Sequence, residues 1–266
     1  MFGANLREAI NAPGRRLAAY LVLGILLPGL AFAEKIPLRM THSTSLEYRT
    51  DNANGEDDDD SYGAIIERLN LAASAGRLSA QMRLDGMYFV DPAADWNRDD
   101  ARLERILVRY RLGSFSIQAG DFYKQVGRGI ALNLRKLDEM GLDVTLRGGE
   151  VKYEDRVLGG ALFAGRTNSA NIDNLKQRFL EDPLDTIAGA QGEWRFSQGF
   201  ELGAHTVYRQ NRIPLALSQT DDASVTLGSY LEMNELWDIF SMYVEADLQE
   251  TRQIDQVTNG QALYAA

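Results

Sequence analysis

The chain has 266 residues, two histidines and no cysteine, and its 28 basic against 38 acidic side chains give a formal net charge of −10. This balance excludes a nucleic-acid partner, because phosphate contacts need a basic surface. The missing cysteines exclude a disulfide framework.

Residues 1–33 read as a secretory signal peptide. Arg15 and Arg16 form a basic start, Leu17 to Leu30 an apolar core, and Ala31-Phe32-Ala33 a small-x-small cleavage site before Glu34. Gly24, Pro28 and Gly29 interrupt the apolar stretch, which disfavours a retained membrane helix. Removing it takes away three Arg and one Glu, so 25 basic and 37 acidic residues remain, a net of −12. No cysteine follows the cleavage site, which excludes lipoprotein processing, and no apolar run of about 20 residues is left to form a transmembrane helix. Residues 34–266 are expected to form one β domain.

Strand-like alternation then runs down the chain. Leu38, Met40, Leu46 and Tyr48 alternate with Arg39, Thr41, Ser43, Ser45, Glu47 and Arg49; 62–74 carry Ile65, Leu69 and Leu71 against Arg68 and Asn70. Residues 77–90 are the clearest case, with Leu78, Ala80, Met82, Leu84, Tyr88 and Val90 on one parity and Arg77, Ser79, Gln81, Arg83 and Asp85 on the other. Successive strand side chains point to opposite faces, so this is a ribbon with one oily and one charged side. In 102–112, Ile106, Val108, Tyr110 and Leu112 oppose Arg105, Arg109 and Arg111, and 115–123 follow with Phe115, Ile117 and Ala119. Segment 143–154 changes phase between Val144/Leu146 and Val151/Tyr153, and Gly148-Gly149 between them predicts a bulge or kink. Residues 157–166 are apolar on both parities; 186–197, 200–210, 224–234 and 239–250 restore the alternation, and 261–266 begin a twelfth strand.

Tight turns at 75–76, 113–114, 155–156, 198–199 and 236–238 alternate strictly with long polar loops near 51–61, 91–101, 124–142, 167–185, 211–223 and 251–258. Outer-membrane barrels have short periplasmic turns and long external loops. The expected fold is therefore all-β, an antiparallel up-and-down transmembrane β-barrel with about 12 strands visible. The chain stops inside its last strand, so a fragment of a larger barrel is expected.

The polar faces are not electrically uniform. The inferred lumen side of the N-terminal strands holds Arg77, Arg83, Arg105, Arg109 and Arg111, and that of the C-terminal strands holds Glu193, Glu201, Glu232, Glu245 and Asp247. A basic wall facing an acidic one places a transverse field across a wet pore; the alternative is charges that pair and fill the lumen. Loop 124–142 carries Lys124, Arg128, Arg135 and Lys136 together with Ile130, Leu132, Leu134, Leu137 and Met140. A basic, apolar loop is ill suited to stand in water above an acidic surface, so it is expected to fold inward and narrow the lumen, as a short helix or as a strand. The alternative is one long hairpin above the membrane.

The run Gly120-Asp121-Phe122-Tyr123-Lys124-Gln125-Val126-Gly127-Arg128-Gly129-Ile130, followed by Gly141-Leu142-Asp143 and Leu146-Arg147-Gly148-Gly149, resembles a family of porin-like bacterial outer-membrane barrel proteins sharing GD[FY]Yxx[FV]GRG and GLD…RGG blocks. The resemblance covers about 30 residues, implies fold and compartment, and brings no substrate and no catalytic residue. Glycines 127, 129, 141, 148 and 149 permit positive φ and close backbone approach, and Asp121, Arg128, Asp143 and Arg147 are candidates for ion pairs that pin the loop.

The acidic run 54–60 lacks the ligand order of an EF-hand loop and reads as a solvated loop that divalent ions can bridge to lipopolysaccharide. His42 sits on the outward parity two residues before Thr44, and His205 on a polar face. Convergent metal ligands are not visible, and Gly127-Arg128-Gly129 fits no phosphate-binding pattern. No metal, cofactor or catalytic residue is expected. The expected partners are outer-membrane lipids and lipopolysaccharide, the barrel-assembly machinery and small hydrophilic solutes. The leading functional expectation is a passive channel. The second is a non-conducting barrel with a structural, adhesive or assembly role.

Overall fold

The computed structural model describes residues 36–50, 62–90, 100–137, 142–169, 172–173, 178–179, 185–197, 199–215, 218–236, 240–253 and 256–266. The expected signal peptide at 1–33, the acidic run 54–60 and the expected loop 91–99 lie outside the described residues. In chain order the strands are β1 (Leu38–Arg49), β2 (Tyr62–Ala75), β3 (Leu78–Val90), β4 (Asp100–Leu112), β5 (Phe115–Phe122), β6 (Lys124–Val126), β7 (Leu132–Leu134), β8 (Lys136–Leu137), β9 (Leu142–Glu154), β10 (Leu158–Ser169), β11 (Ile172–Asp173), β12 (Arg178–Phe179), β13 (Thr186–Ser197), β14 (Phe200–Leu215), β15 (Ser218–Leu236), β16 (Phe240–Gln253) and β17 (Gln256–Ala265).

Twelve of these make one antiparallel up-and-down wall in the order β1-β2-β3-β4-β5-β9-β10-β13-β14-β15-β16-β17. β1 and β17 are its two ends and do not pair with each other, so the wall curls without closing. β6 and β7 form a separate hairpin, and β8 adds to β9.

The protein is inside out relative to a water-soluble domain. Leu162, Leu227, Leu248, Ile117 and Trp194 are exposed on the outer face, whereas Arg83, Asp85, Gln118, His205, Glu245 and Asp247 are buried on the inner one. In strand β3 this follows directly from the period of two: Arg83, Asp85 and Met87 turn in, and Tyr88 and Val90 turn out.

The structure corrects the sequence reading in three places. The expected loop 211–223 is largely ladder, because β14 and β15 stay paired out to Leu215↔Ser218. Backbone hydrogen bonds do not require the side-chain alternation that ends there. The last strand starts at Gln256, five residues before the alternation shows it. The phase change in 143–154 involves no bulge, since β9 pairs with β5 and β10 in unbroken register. Leu146 faces inward there because an apolar partner waits inside.

Candidate functional site

Two irregularities of the wall shape the interior. Between β3 and β4 the register shifts at Arg83/Leu84, so Glu104 bulges out of the pairing and is buried, while Arg105 keeps the inward parity of Arg109. Between β4 and β5 pairing ends at Leu107↔Gly120. Gly120 adopts φ of 116°, and a side chain there would collide with the Ile106 carbonyl, so only glycine fits.

Asp121 seals the gap left when the β4–β5 ladder stops. It keeps the outward parity of Ile117, and it accepts the Ile106 N–H at 3.0 Å, Arg147 Nε at 2.8 Å and Asn168 Nδ2 at 3.0 Å. Arg147 and Asn168 also donate to the Glu104 carbonyl at 2.8 and 3.2 Å. Asp121, buried and also on the lining of the interior cavity described below, and the half-exposed Arg147 therefore stitch the wall across this gap. They do not contact the loop tip.

From Tyr123 the chain enters the curl. Tyr123 donates to Asp143 Oδ1 at 2.7 Å and accepts from Arg105 at 2.6 Å, and Arg83 reaches Asp143 at 3.2 Å. The hairpin pairs Lys124↔Leu134 and Val126↔Leu132, turning through Gly127 and Gly129 with φ of 56° and 97°. Of the two forms open to the loop, a strand is the one present. Val126 and Leu132 pack with Phe122, Leu146, Phe163, Ile187 and Val207, and Leu107, Ala131 and Leu134 border this cluster. All the wall members of this cluster are apolar residues on the inward parity. Burying each such side chain is worth about 1.5–3 kcal/mol.

Charged contacts fasten the hairpin at both ends. Lys124 is buried, 2.6 Å from Glu150 and 4.6 Å above the Phe163 ring. Glu150 also accepts Gln118 Nε2 at 2.5 Å, and Gln118 accepts from Arg109. At the tip the Arg128 N–H donates to Glu245 Oε2 at 2.9 Å, while its guanidinium lies 4.5 Å from the Tyr243 ring and 3.7 Å from Glu232.

The hairpin thus divides the interior. On one side is a cavity of about 580 Å³ whose lining includes Arg39, Arg68, Arg83, Arg105, Arg109 and Lys136 with Asp143, Thr41 and Asn70. On the other is a cavity of about 310 Å³ bordered by Ile130, Val207, Arg209, Ser224, Thr226, Asp247 and Gln249. Of the basic wall, Arg83, Arg105 and Arg109 line the large cavity; Arg77 and Arg111 are exposed at its short-turn end, where the Arg111 N–H donates to the Arg77 carbonyl. Of the acidic wall, Glu193 and Glu201 are tied by Arg195 at 2.8 and 3.0 Å, with Tyr230 donating to Glu201. Glu232 and Glu245 meet the hairpin tip. Arg135 is exposed; its carbonyl accepts the Val144 N–H at 3.4 Å.

At a short turn, Asp155 accepts the N–H groups of Leu158 and Val157, each at 2.7 Å, and the Tyr153 hydroxyl. The Leu158 bond first, then those from Tyr153 and Val157, hold its carboxyl below the ordinary carboxylate range.

The alternation missed Tyr123, Gln118 and Glu150, which link the hairpin to the walls. The available signal was Leu107, Phe122, Leu146, Phe163, Ile187 and Val207, apolar residues on the wrong parity for a wet lumen. Outside, His42 and Thr44 both bond to Glu67, Thr44 at 2.9 Å. The Thr44 hydroxyl donates to the Glu67 carboxylate, the same group that meets the His42 imidazole.

No family model matches this sequence, and no curated protein matches it. Among solved structures it is similar to a BenF-like porin from Pseudomonas fluorescens Pf-5, at 11% identity and a TM-score of 0.36 over 88% of this chain and 68% of that one. Pseudomonas aeruginosa OccK2 (OpdF) gives 15% identity and 0.36 over 88% and 66%. The KdgM porin gives 9% and 0.32 over 85% and 98%. At these levels the reading of this chain rests on its own residues.

Proposed function

We propose that the chain is an outer-membrane β-barrel protein acting as a passive, porin-like channel for small hydrophilic solutes, with preference for anionic ones. The membrane location is supported by the apolar outer face and polar inner face of a wall with short turns at one end, the pattern a bilayer requires. The solute preference is carried by a single observation, the 580 Å³ cavity with six basic side chains along its lining. Against the six cations stand Asp143, shared by Arg83 and Arg105, Asp85, shared by Arg83 and Arg68, and the lining Asp121, while Arg109 has the neutral Gln118 as its partner, so positive charge still outnumbers negative toward an entering solute. Passage needs no reaction, and the residues have only to attract and release.

One observation favours a second reading. The apolar hairpin occupies the middle of the curl, as it would in an occluded barrel with a structural or assembly role. Bilayer recording on refolded protein separates the two. Under a salt gradient the channel reading expects current with an anion-selective reversal potential, shifted toward cation selectivity by Arg105→Glu with Arg109→Glu. Absence of current at every voltage would leave the occluded barrel.

A further inference from the structure

Three consecutive wall strands bring a nitrogen and two carboxylates together on the acidic side. His205 on β14 pairs with Gly228 on β15, and Gly228 pairs with Asp247 on β16. Glu245 lies two residues before Asp247 and so on the same inward face. Because Gly228 has no side chain, His205 and Asp247 meet over it; a Cβ there would strike both. Gly127 at the hairpin tip leaves the same kind of room for Glu245.

His205 Nε2 lies 2.7 Å from Asp247 Oδ1 and 3.7 Å from Glu245 Oε1. One donor atom from each residue falls within 4.8 Å of the other two. The side chains are 0%, 3% and 0% exposed for His205, Asp247 and Glu245. Each also carries a buried polar atom with no hydrogen-bond partner: His205 Nδ1, Asp247 Oδ2 and Glu245 Oε1. Buried unpartnered carboxylate oxygens are costly, and more so when charged. A cation held by His205 Nε2, Asp247 Oδ1 and Glu245 Oε1 gives the unpartnered Glu245 oxygen a partner.

We propose that His205, Glu245 and Asp247 form a binding site for a divalent transition-metal ion of the zinc type. Ligands sharing such an ion at about 2.0–2.2 Å must stand roughly 3 Å apart, and the observed 2.7 and 3.7 Å separations bracket this. An imidazole with two carboxylates suits zinc, whereas calcium takes six to eight oxygens. Asp247 borders the 310 Å³ cavity, with Ser224 and Thr226 on the same wall, which supplies an entry path. Glu245 also accepts the Arg128 N–H at the hairpin tip, so a bound ion fixes the partner on which the tip rests. The site does not depend on the channel reading.

The test is titration of ZnCl₂ into chelator-treated, refolded full-length protein in detergent micelles, followed by calorimetry. One equivalent should bind, with equimolar CaCl₂ failing to compete. His205→Ala and Asp247→Asn should each weaken binding at least tenfold, and His42→Ala, which removes the chain's other histidine, should leave it unchanged. The near-isosteric Asp247→Asn covers the case in which His205→Ala does not refold, and the intensity of the visible Co²⁺ spectrum on the unaltered protein reads the coordination geometry of the site. No binding by the unaltered protein, equal binding by Asp247→Asn, or loss in His42→Ala overturns the proposal.

Discussion

Removing the apolar anchors of the inner hairpin, with Val126→Ala and Leu132→Ala together, should open the interior without unfolding the wall. Val126 is fully buried and Leu132 is 6% exposed. A buried Leu→Ala change costs about 2–5 kcal/mol, and the two methylene equivalents lost at Val126 add about 1.6 kcal/mol at 0.8 each. A total of about 4–7 kcal/mol shifts the docked population of the hairpin by roughly three to five orders of magnitude, at about 1.4 kcal/mol per decade. The Lys124–Glu150 pair cannot offset this once water enters, since exposed pairs are worth about 0–1 kcal/mol. The wall ladder does not include β6 or β7, so the double variant should keep the heat-dependent gel shift of a folded barrel. In single-channel recordings it should show higher conductance and fewer closures. A folded double variant with unchanged conductance would refute the claim that this hairpin limits passage.

Arg128→Ala should raise conductance far less, because its guanidinium is half exposed and stands 3.7 Å from Glu232, a pair worth at most about 1 kcal/mol; an effect equal to that of the double variant contradicts this ranking. Glu150→Gln strands the buried Lys124 ammonium, and a loss of about 3–5 kcal/mol from hairpin docking should appear as faster protease cleavage within 124–136 of the refolded protein. Asp155→Asn should weaken amide-exchange protection at Val157 and Leu158 several-fold near neutral pH. Because the Asp155 carboxyl is held below its ordinary value, its contribution is present above about pH 4 and fades as pH falls through the lowered folded value. The variant and the unaltered protein should therefore converge in strong acid, and a gap that persists there counts against the carboxylate's role.

Strand existence was legible because a one-residue slip moves a whole face from lipid to lumen, so the alternation in 77–90 admits one arrangement. Where that penalty lapses, boundaries were lost. Residues 211–223 carry no alternation yet pair through their backbones, and the β4 bulge buries Glu104, which shares the parity of Ile106 and Val108, with nothing in the local pattern to mark it. Gly148-Gly149 look like a kink in sequence and sit in unbroken ladder. Their lack of side chains serves close strand approach instead, since a Cβ on Gly148 would meet the Ala164 carbonyl of β10.

The composition of the walls is local information: each strand states which of its faces is apolar, and the basic N-terminal and acidic C-terminal inner faces follow from parity alone. Which charges meet is not local. Arg83 and Arg105 find Asp143, Lys124 finds Glu150, and His205 finds Asp247 only because the curl brings residues 26 to 60 positions apart in sequence within hydrogen-bond reach. The off-parity apolar residues from Leu107 to Val207 had no meaning until β6 and β7 lay against them. A strand's pleat determines what it offers to each side, and the tertiary curl alone decides what stands opposite.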